Sequence, residues 1–171
     1  MIRVLVVGDG PRDEAMVPAI VATVLGRPVE AQFEPWARLH DRSGKGYGRK
    51  LRYAIAVARD RRRALVATLD VDASPRRERM AELQQARDDA RSRPDPVPTA
   101  LGAANPHGEA WLLDDAVAVR SVLGLAADVP VPSVLRVRSP KGALEALMAE
   151  SPRAGDRPRD VWRHIAVQVR P

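Results

Sequence analysis

The sequence contains no cysteine, which excludes disulfide bridges and metal sites built from thiolates. It also lacks any run of the roughly 18 consecutive apolar residues that a membrane-spanning helix needs. The N-terminus shows no signal-peptide pattern, with neither a basic start nor a following apolar segment. From these absences we expect a soluble, cytoplasmic protein that has no membrane partner.

Lysine is scarce as well, since the chain has only Lys45, Lys50 and Lys141, and its positive charge is therefore almost all arginine. A net charge of +6 and a pI near 10.6 fit a polyanionic partner such as DNA or RNA. An arginine-rich composition is also typical of proteins from GC-rich genomes. Charge alone therefore does not decide whether the partner is a nucleic acid.

Apolar residues make up 45% of the 171 residues, enough for a real core in one domain. Short aliphatic runs alternate with helix-like segments through the first two thirds of the chain. The runs typical of strands are "IRVLVVG" (2–8), "PVEAQFEPW" (28–36), "ALVATLDV" (64–71) and "PVPTALGAAN" (96–105). This alternation predicts an α/β fold, three-layered and Rossmann-like, with about four mainly parallel strands.

The segments between these runs predict a helix from Pro11 to Gly26, one near residues 51–58 and a polar one over 76–92. Residues 37–48 predict a basic, glycine-rich loop. After Pro106 the sequence predicts helices over "GEAWLLDDAVAVRSVLG", "SPKGALEALMAE" and "DVWRHIAVQV". We therefore expect an α/β core at 1–105 and a helical C-terminal part at 106–171, packed on the same domain.

Carboxylates follow two of the predicted strands. Asp9 comes directly after the first strand, and Asp70 and Asp72 end the third. Catalytic groups of parallel α/β sheets lie in loops at the carboxyl ends of the strands, so these three residues converge if the strands are neighbours. Such a cluster is normally stabilised by a divalent cation, and all-oxygen ligands favour Mg²⁺ or Mn²⁺. Each aspartate taken alone is equally typical of a turn or a helix cap.

Several short motifs carry a resemblance to a known family. "VVGDGPRDEAMV" resembles the "EG-x-x-D" segment that opens Toprim domains, and "LDVDAS" resembles their "D-x-D" segment. "PHGEAWLLDD" is similar to an "E-x-W-L-L-x-D" segment of small stand-alone Toprim-like proteins found in prokaryotic defence neighbourhoods. "SGKGYGRKL" and "SPKGALEAL" are also similar to segments of that group. The likeness is to the overcoming-lysogenization-defect nucleases and touches most of the chain.

The resemblance assigns roles to individual residues. Asp9 stands where Toprim domains have a catalytic glutamate, and its side chain is one methylene group shorter than that glutamate. Asp70 and Asp72 match the metal-binding pair, and Gly10 and Asp13 match the glycine and acid of the first motif. Glu109 matches an additional catalytic and metal-binding glutamate of the nuclease-like members.

Basic residues complete the predicted site. The segment 42–50 contains Lys45, Arg49 and Lys50, which we expect to contact phosphate groups. Lys141 matches a further basic residue of the family that could face phosphate.

Two functions are compatible with these residues. The first is a metal-dependent nuclease, with Asp9, Asp70 and Glu109 catalytic, acting on DNA or RNA in antiphage defence and possibly with an ATPase partner. The second is a weak or inactive Toprim-like subunit that binds nucleic acid or another protein.

A third resemblance, of "DVDAS" to haloacid-dehalogenase-type phosphatases, ranks low because their motif lies near the N-terminus. A nucleotide P-loop is excluded, because "SGKGYGRK" does not match its pattern.

Overall fold

The computed structural model describes residues 1–71 and 76–170, with the backbone alone at residues 40, 41, 43, 76 and 77. Four strands are found in it: β1 (Ile2–Gly8), β2 (Val29–Pro35), β3 (Ala64–Asp70) and β4 (Thr99–Ala104). The helices are α1 (Pro11–Leu25), α2 (Trp36–Ser43), α3 (Tyr47–Asp60), α4 (Arg76–Arg91), α5 (Glu109–Leu113), α6 (Ala116–Leu123), α7 (Pro140–Ala149) and α8 (Pro158–Gln168).

The strands form one all-parallel sheet in the order β2-β1-β3-β4. In the register of the central pairs, Val4 lies beside Ala31 of β2 and Ala64 of β3. The residues of β1 from Val4 to Gly8 are all buried, as expected for a strand covered on both faces. The predicted α/β, Rossmann-like fold class is therefore confirmed.

Contacts divide the chain into two units, and this division does not follow the chain order. Unit 1 contains residues 1–10 and 28–103, and unit 2 contains residues 11–27 and the chain from residue 104 onward. Helix α1 packs along α8 within unit 2, although it follows β1 directly in the sequence. The helix that connects β1 to β2 thus belongs with the C-terminal helices.

Unit 1 has a core of apolar side chains from the sheet and from helices α2, α3 and α4. Its largest members include Leu5, Trp36, Leu51, Leu65 and Leu83. The indole N–H of Trp36 donates a 2.7 Å hydrogen bond to the carbonyl oxygen of Thr68, and the Trp36 ring packs edge-on against Tyr47. Trp36 is thereby held against the end of β3 and the start of α3.

Unit 2 has a separate core, in which α1 contributes Met16 and α8 contributes Trp162 and Ile165. Helix α1 continues through Pro18 and ends before Gly26, whose φ of 62° is a conformation that glycine adopts readily. No helix within the described residues combines the length and apolarity that crossing a bilayer requires.

Two local predictions are wrong. Residues 37–48 are not a loop, because α2 occupies Trp36–Ser43 and α3 begins at Tyr47. The reason is tertiary: Trp36 and Leu39, three residues apart, are both buried and hold an otherwise polar helix against the core. The segment 108–124 is two helices rather than one, because the Asp115 carboxylate accepts hydrogen bonds from the backbone N–H groups of Val117 and Ala118 and caps α6.

Candidate functional site

The strand order places a topological switch point between β1 and β3. The chain passes from β1 to β2, which lies on one side of β1. It then passes from β2 to β3, which lies on the opposite side of β1. Parallel sheets wound in this way leave a crevice at the carboxyl ends of the two strands that flank the switch point, and ligands bind there. In unit 1 the residues at this position are Asp9, directly after β1, and Asp70, the last residue of β3.

Asp9 and Asp70 are in direct contact. The backbone N–H of Asp70 donates a hydrogen bond of 3.0 Å to Oδ2 of Asp9. Two residues before Asp70, the buried hydroxyl of Thr68 donates a 3.3 Å hydrogen bond to the carbonyl oxygen of Val7. The ends of β1 and β3 are therefore joined by hydrogen bonds that involve side chains. Asp9 is exposed and Asp70 is half-buried, and water therefore has access to this end of the sheet.

Asp72, the third residue of the predicted metal cluster, lies outside the described residues. Within the described ranges 1–71 and 76–170, no three or more His, Asp and Glu side chains are grouped so as to hold a metal ion. The donor chemistry at the switch point fits Mg²⁺ or Mn²⁺, because Asp9 and Asp70 offer carboxylate oxygens and no nitrogen or sulfur ligand. Gly10 follows Asp9 at the end of the first segment of unit 1.

Glu109 is the first residue of α5 in unit 2, and its side chain is only 4% exposed. Its Oε1 accepts a 2.9 Å hydrogen bond from Nη1 of Arg12 in α1. Nη2 of Arg12 donates to Glu145 of α7 at 3.2 Å. Arg12 therefore joins three helices and neutralises the buried Glu109, a partnership that the sequence did not predict because 97 residues separate the pair.

Asp13 and Lys141 also belong to unit 2. Asp13 is a buried carboxylate in the first turn of α1, and a Cβ atom at Gly108 would lie 3.2 Å from its Oδ1. Glycine at 108 thus permits close packing between α1 and the start of α5. Lys141 is half-buried in the first turn of α7, where the Ser139 hydroxyl accepts a 3.0 Å hydrogen bond from Gly142 and caps the helix.

The basic residues of the segment 42–50 lie around the start of α3 in unit 1. Lys45 and Arg49 are exposed, whereas the Lys50 ammonium lies 5.0 Å from the centre of the Tyr47 ring. Arg79 of α4 lies 5.4 Å from the same ring. Arg79 therefore joins the predicted basic cluster, and only the packing of α4 against α3 reveals it.

Comparison of the chain with protein-family models, curated proteins and solved structures finds no match to any of the three. Its function is therefore inferred from the residues and their geometry. Membership of the Toprim superfamily stays a prediction based on the motifs of residues 6–17, 69–74 and 106–115. What is shown is the fold class, an α/β protein with an all-parallel four-stranded sheet.

Proposed function

We propose that the protein is a metal-dependent nuclease of the Toprim type, which cleaves phosphodiester bonds of DNA or RNA. One observation carries the proposal: Asp9 and Asp70 contact each other at the switch point of the parallel sheet, through the 3.0 Å hydrogen bond. Two carboxylates at this position are what the chemistry needs. The Asp9 carboxylate accepts from the backbone of Asp70, so both aspartates lie at this one end of the sheet.

Asp9, Asp70 and Asp72 are the proposed ligands of Mg²⁺ or Mn²⁺, and Glu109 is proposed as an additional ligand and catalytic group. A cation bound there would stabilise the attacking and leaving oxygens of the phosphodiester. The basic residues Lys45, Arg49, Lys50 and Lys141 are proposed to contact phosphate groups of the substrate. A role in antiphage defence and an ATPase partner rest on the family resemblance alone.

The experiment measures nicking of supercoiled plasmid and cleavage of end-labelled RNA in the presence of Mn²⁺. We expect cleavage by the wild type, and a loss of at least about a hundredfold in Asp70→Ala, since even outer-shell partners of a metal change activity by 10–100-fold. Glu109→Gln removes one charge with little change of shape, and we expect a comparable loss. In calorimetry, Asp70→Ala should abolish Mn²⁺ binding while its circular dichroism stays unchanged.

Asp95→Asn is the matched control, because Asp95 is an exposed carboxylate in the loop after α4. It removes the same charge as the site variants and should leave cleavage and Mn²⁺ affinity unchanged. Cleavage that survives both Asp70→Ala and Glu109→Gln would assign the activity to another site or to a contaminant. Equal Mn²⁺ affinity in wild type and Asp70→Ala would also contradict the proposal.

The contacts of the same carboxylates favour a second candidate, a Toprim-like subunit that binds nucleic acid or protein without cleavage. Asp9 already accepts a backbone hydrogen bond, and Glu109 is already paired with Arg12. Asp9 is also one methylene shorter than the glutamate of the family motif. Inactivity on both substrates, combined with salt-sensitive binding to them, would make this candidate the better account.

A further inference from the structure

A groove between α3 and α4 in unit 1 has a composition that the proposed nuclease site does not explain. Three arginines line it, Arg52 and Arg59 from α3 and Arg93 just beyond α4, together with the carboxylate of Asp89. Alanines of both helices, Ala56, Ala86 and Ala90, also line it. Because these side chains are small, the helices leave a shallow groove that opens to solvent.

Arg59 is the residue of this groove whose hydrogen bonding is incomplete. Its Nε and Nη2 atoms are buried, and neither has a hydrogen-bond acceptor in the part of the chain that the structure describes. A guanidinium group stays charged at any physiological pH and has five N–H donors to satisfy. Buried donors without acceptors are unfavourable, so a turn of the Arg59 side chain toward an anion in the groove is favoured, because the anion supplies the missing acceptors.

Asp89 does not supply the acceptor that Arg59 needs. Its Oδ2 accepts a 2.8 Å hydrogen bond from Arg52 and its Oδ1 a 2.7 Å bond from Gln85. These bonds, that of Arg52 first, lower the pKa of the Asp89 carboxyl below its ordinary value, so it stays ionised near neutral pH. Three arginines against one carboxylate leave the groove with a surplus of about two positive charges at neutral pH.

We propose that the α3–α4 groove is a binding site for a dianionic phosphate group, either free inorganic phosphate or a terminal phosphomonoester. Arg59 and Arg93 are the residues that hold it, with Arg52 positioned by Asp89 at the side of the groove. The planar guanidinium fork matches phosphate oxygens in a two-point contact. A phosphomonoester carries close to two negative charges at neutral pH and balances the surplus, whereas a backbone phosphodiester carries only one. This proposal is independent of nuclease activity.

The test measures thermal stability and calorimetric binding of the full chain with inorganic phosphate, at constant ionic strength set by chloride. We expect phosphate to raise the melting temperature of the wild type. Arg59→Met keeps the length of the side chain but removes its charge, so it should abolish that rise and melt no lower than the wild type without phosphate. Arg93→Ala, at an exposed position, should weaken phosphate binding about ten- to a hundredfold.

Arg87→Met is the control, because Arg87 lies on α4 outside the groove lining and pairs with Asp88. It should bind phosphate as the wild type does. If a 5′-phosphorylated oligothymidylate competes with phosphate, the site is assigned to terminal phosphomonoesters. If inorganic phosphate binds and this oligonucleotide does not compete, the site is assigned to the free ion. Equal competition by the unphosphorylated oligonucleotide would overturn the dianion assignment. No stabilisation of the wild type, or the same stabilisation of Arg59→Met, would overturn the site itself.

Discussion

Asp9 combines two properties in a single residue. Its carboxylate closes the end of the sheet by accepting the Asp70 N–H, and its exposure leaves it accessible to a cation. The first property needs only an acceptor oxygen, whereas the second needs a negative charge. Asparagine provides the oxygen without the charge, and alanine provides neither. Two substitutions at one position can therefore separate the structural role from the proposed catalytic one.

We expect Asp9→Asn to unfold in urea within about 0.5 kcal/mol of the wild type, because the amide oxygen replaces the acceptor. Asp9→Ala should lose about 0.5–1.5 kcal/mol, the usual contribution of one hydrogen bond. If Asp9 binds metal, both variants should lose Mn²⁺ affinity in calorimetry, although Asp9→Asn keeps the fold. Unchanged Mn²⁺ affinity in Asp9→Asn would leave Asp9 with the structural role only.

At the scale of single elements, the Asp115 side chain determines where helix α6 begins. The Oδ1 atom of Asp115 caps this helix, and its Oδ2 accepts a 3.0 Å hydrogen bond from the backbone N–H of Arg170 near the C-terminus. Partial burial acts to raise the Asp115 pKa, but the hydrogen bonds from Ala118, Arg170 and Val117 outweigh it, so the pKa is lowered. One side chain thus ties α6 to the segment after α8.

This lowered pKa predicts a pH-dependent stability. A carboxyl group whose pKa is lower in the folded protein contributes stability above its unfolded pKa, about 3.9, and loses it as the pH falls through the folded value. We expect Asp115→Asn to be about 0.5–1 kcal/mol less stable than the wild type at pH 7, since asparagine keeps the cap but loses the charge and the oxygen that accepts the Arg170 N–H. The difference should shrink below about pH 4. Urea unfolding across pH 2–7, with the exposed Asp128→Asn as control, measures it. A difference that does not change with pH would assign the loss to packing.

For the molecule as a whole, the net charge of +6 is the feature that bears on a polyanionic partner. The charge is concentrated locally as well, because Lys50 and Arg79 flank Tyr47, and Lys45 and Arg49 are its neighbours in the sequence. Contacts with phosphates release counterions, which makes such binding strongly dependent on salt. For nucleic-acid affinity, the position of the positive charges on the surface therefore matters more than their total number.

We expect nucleic-acid affinity to fall steeply with salt, and the double variant Arg49→Ala, Lys50→Ala to weaken binding to every sequence alike. The slope of log K against log salt should become shallower by about one for each phosphate that the variant no longer neutralises. Arg159→Ala with Arg163→Ala removes the same charge from exposed positions of α8 and is the matched control. Binding that does not depend on salt, or an equal effect of both double variants, would argue against a nucleic-acid surface at the start of α3.

The strands and most of the helices could be predicted from the order of the amino acids. Aliphatic runs that end at Gly8 and Asp70 are recognisable as buried strands because burial on both faces leaves no polar alternation. Once the strands are taken as parallel, their carboxyl ends must lie at one edge of the sheet. The contact of Asp9 with Asp70 could therefore be anticipated, although the resemblance and the cleavage activity stay predictions.

Features that depend on partners distant in the chain became visible only in the folded protein. Helix α2 forms because Trp36 and Leu39 reach the core, and no periodic apolar pattern in residues 37–48 predicts it. Glu109 pairs with Arg12 across 97 residues, and Arg59 lines one groove together with Asp89 and Arg93 only in the folded protein. Local propensity is a property of neighbouring residues, whereas burial and pairing depend on which surfaces meet after folding.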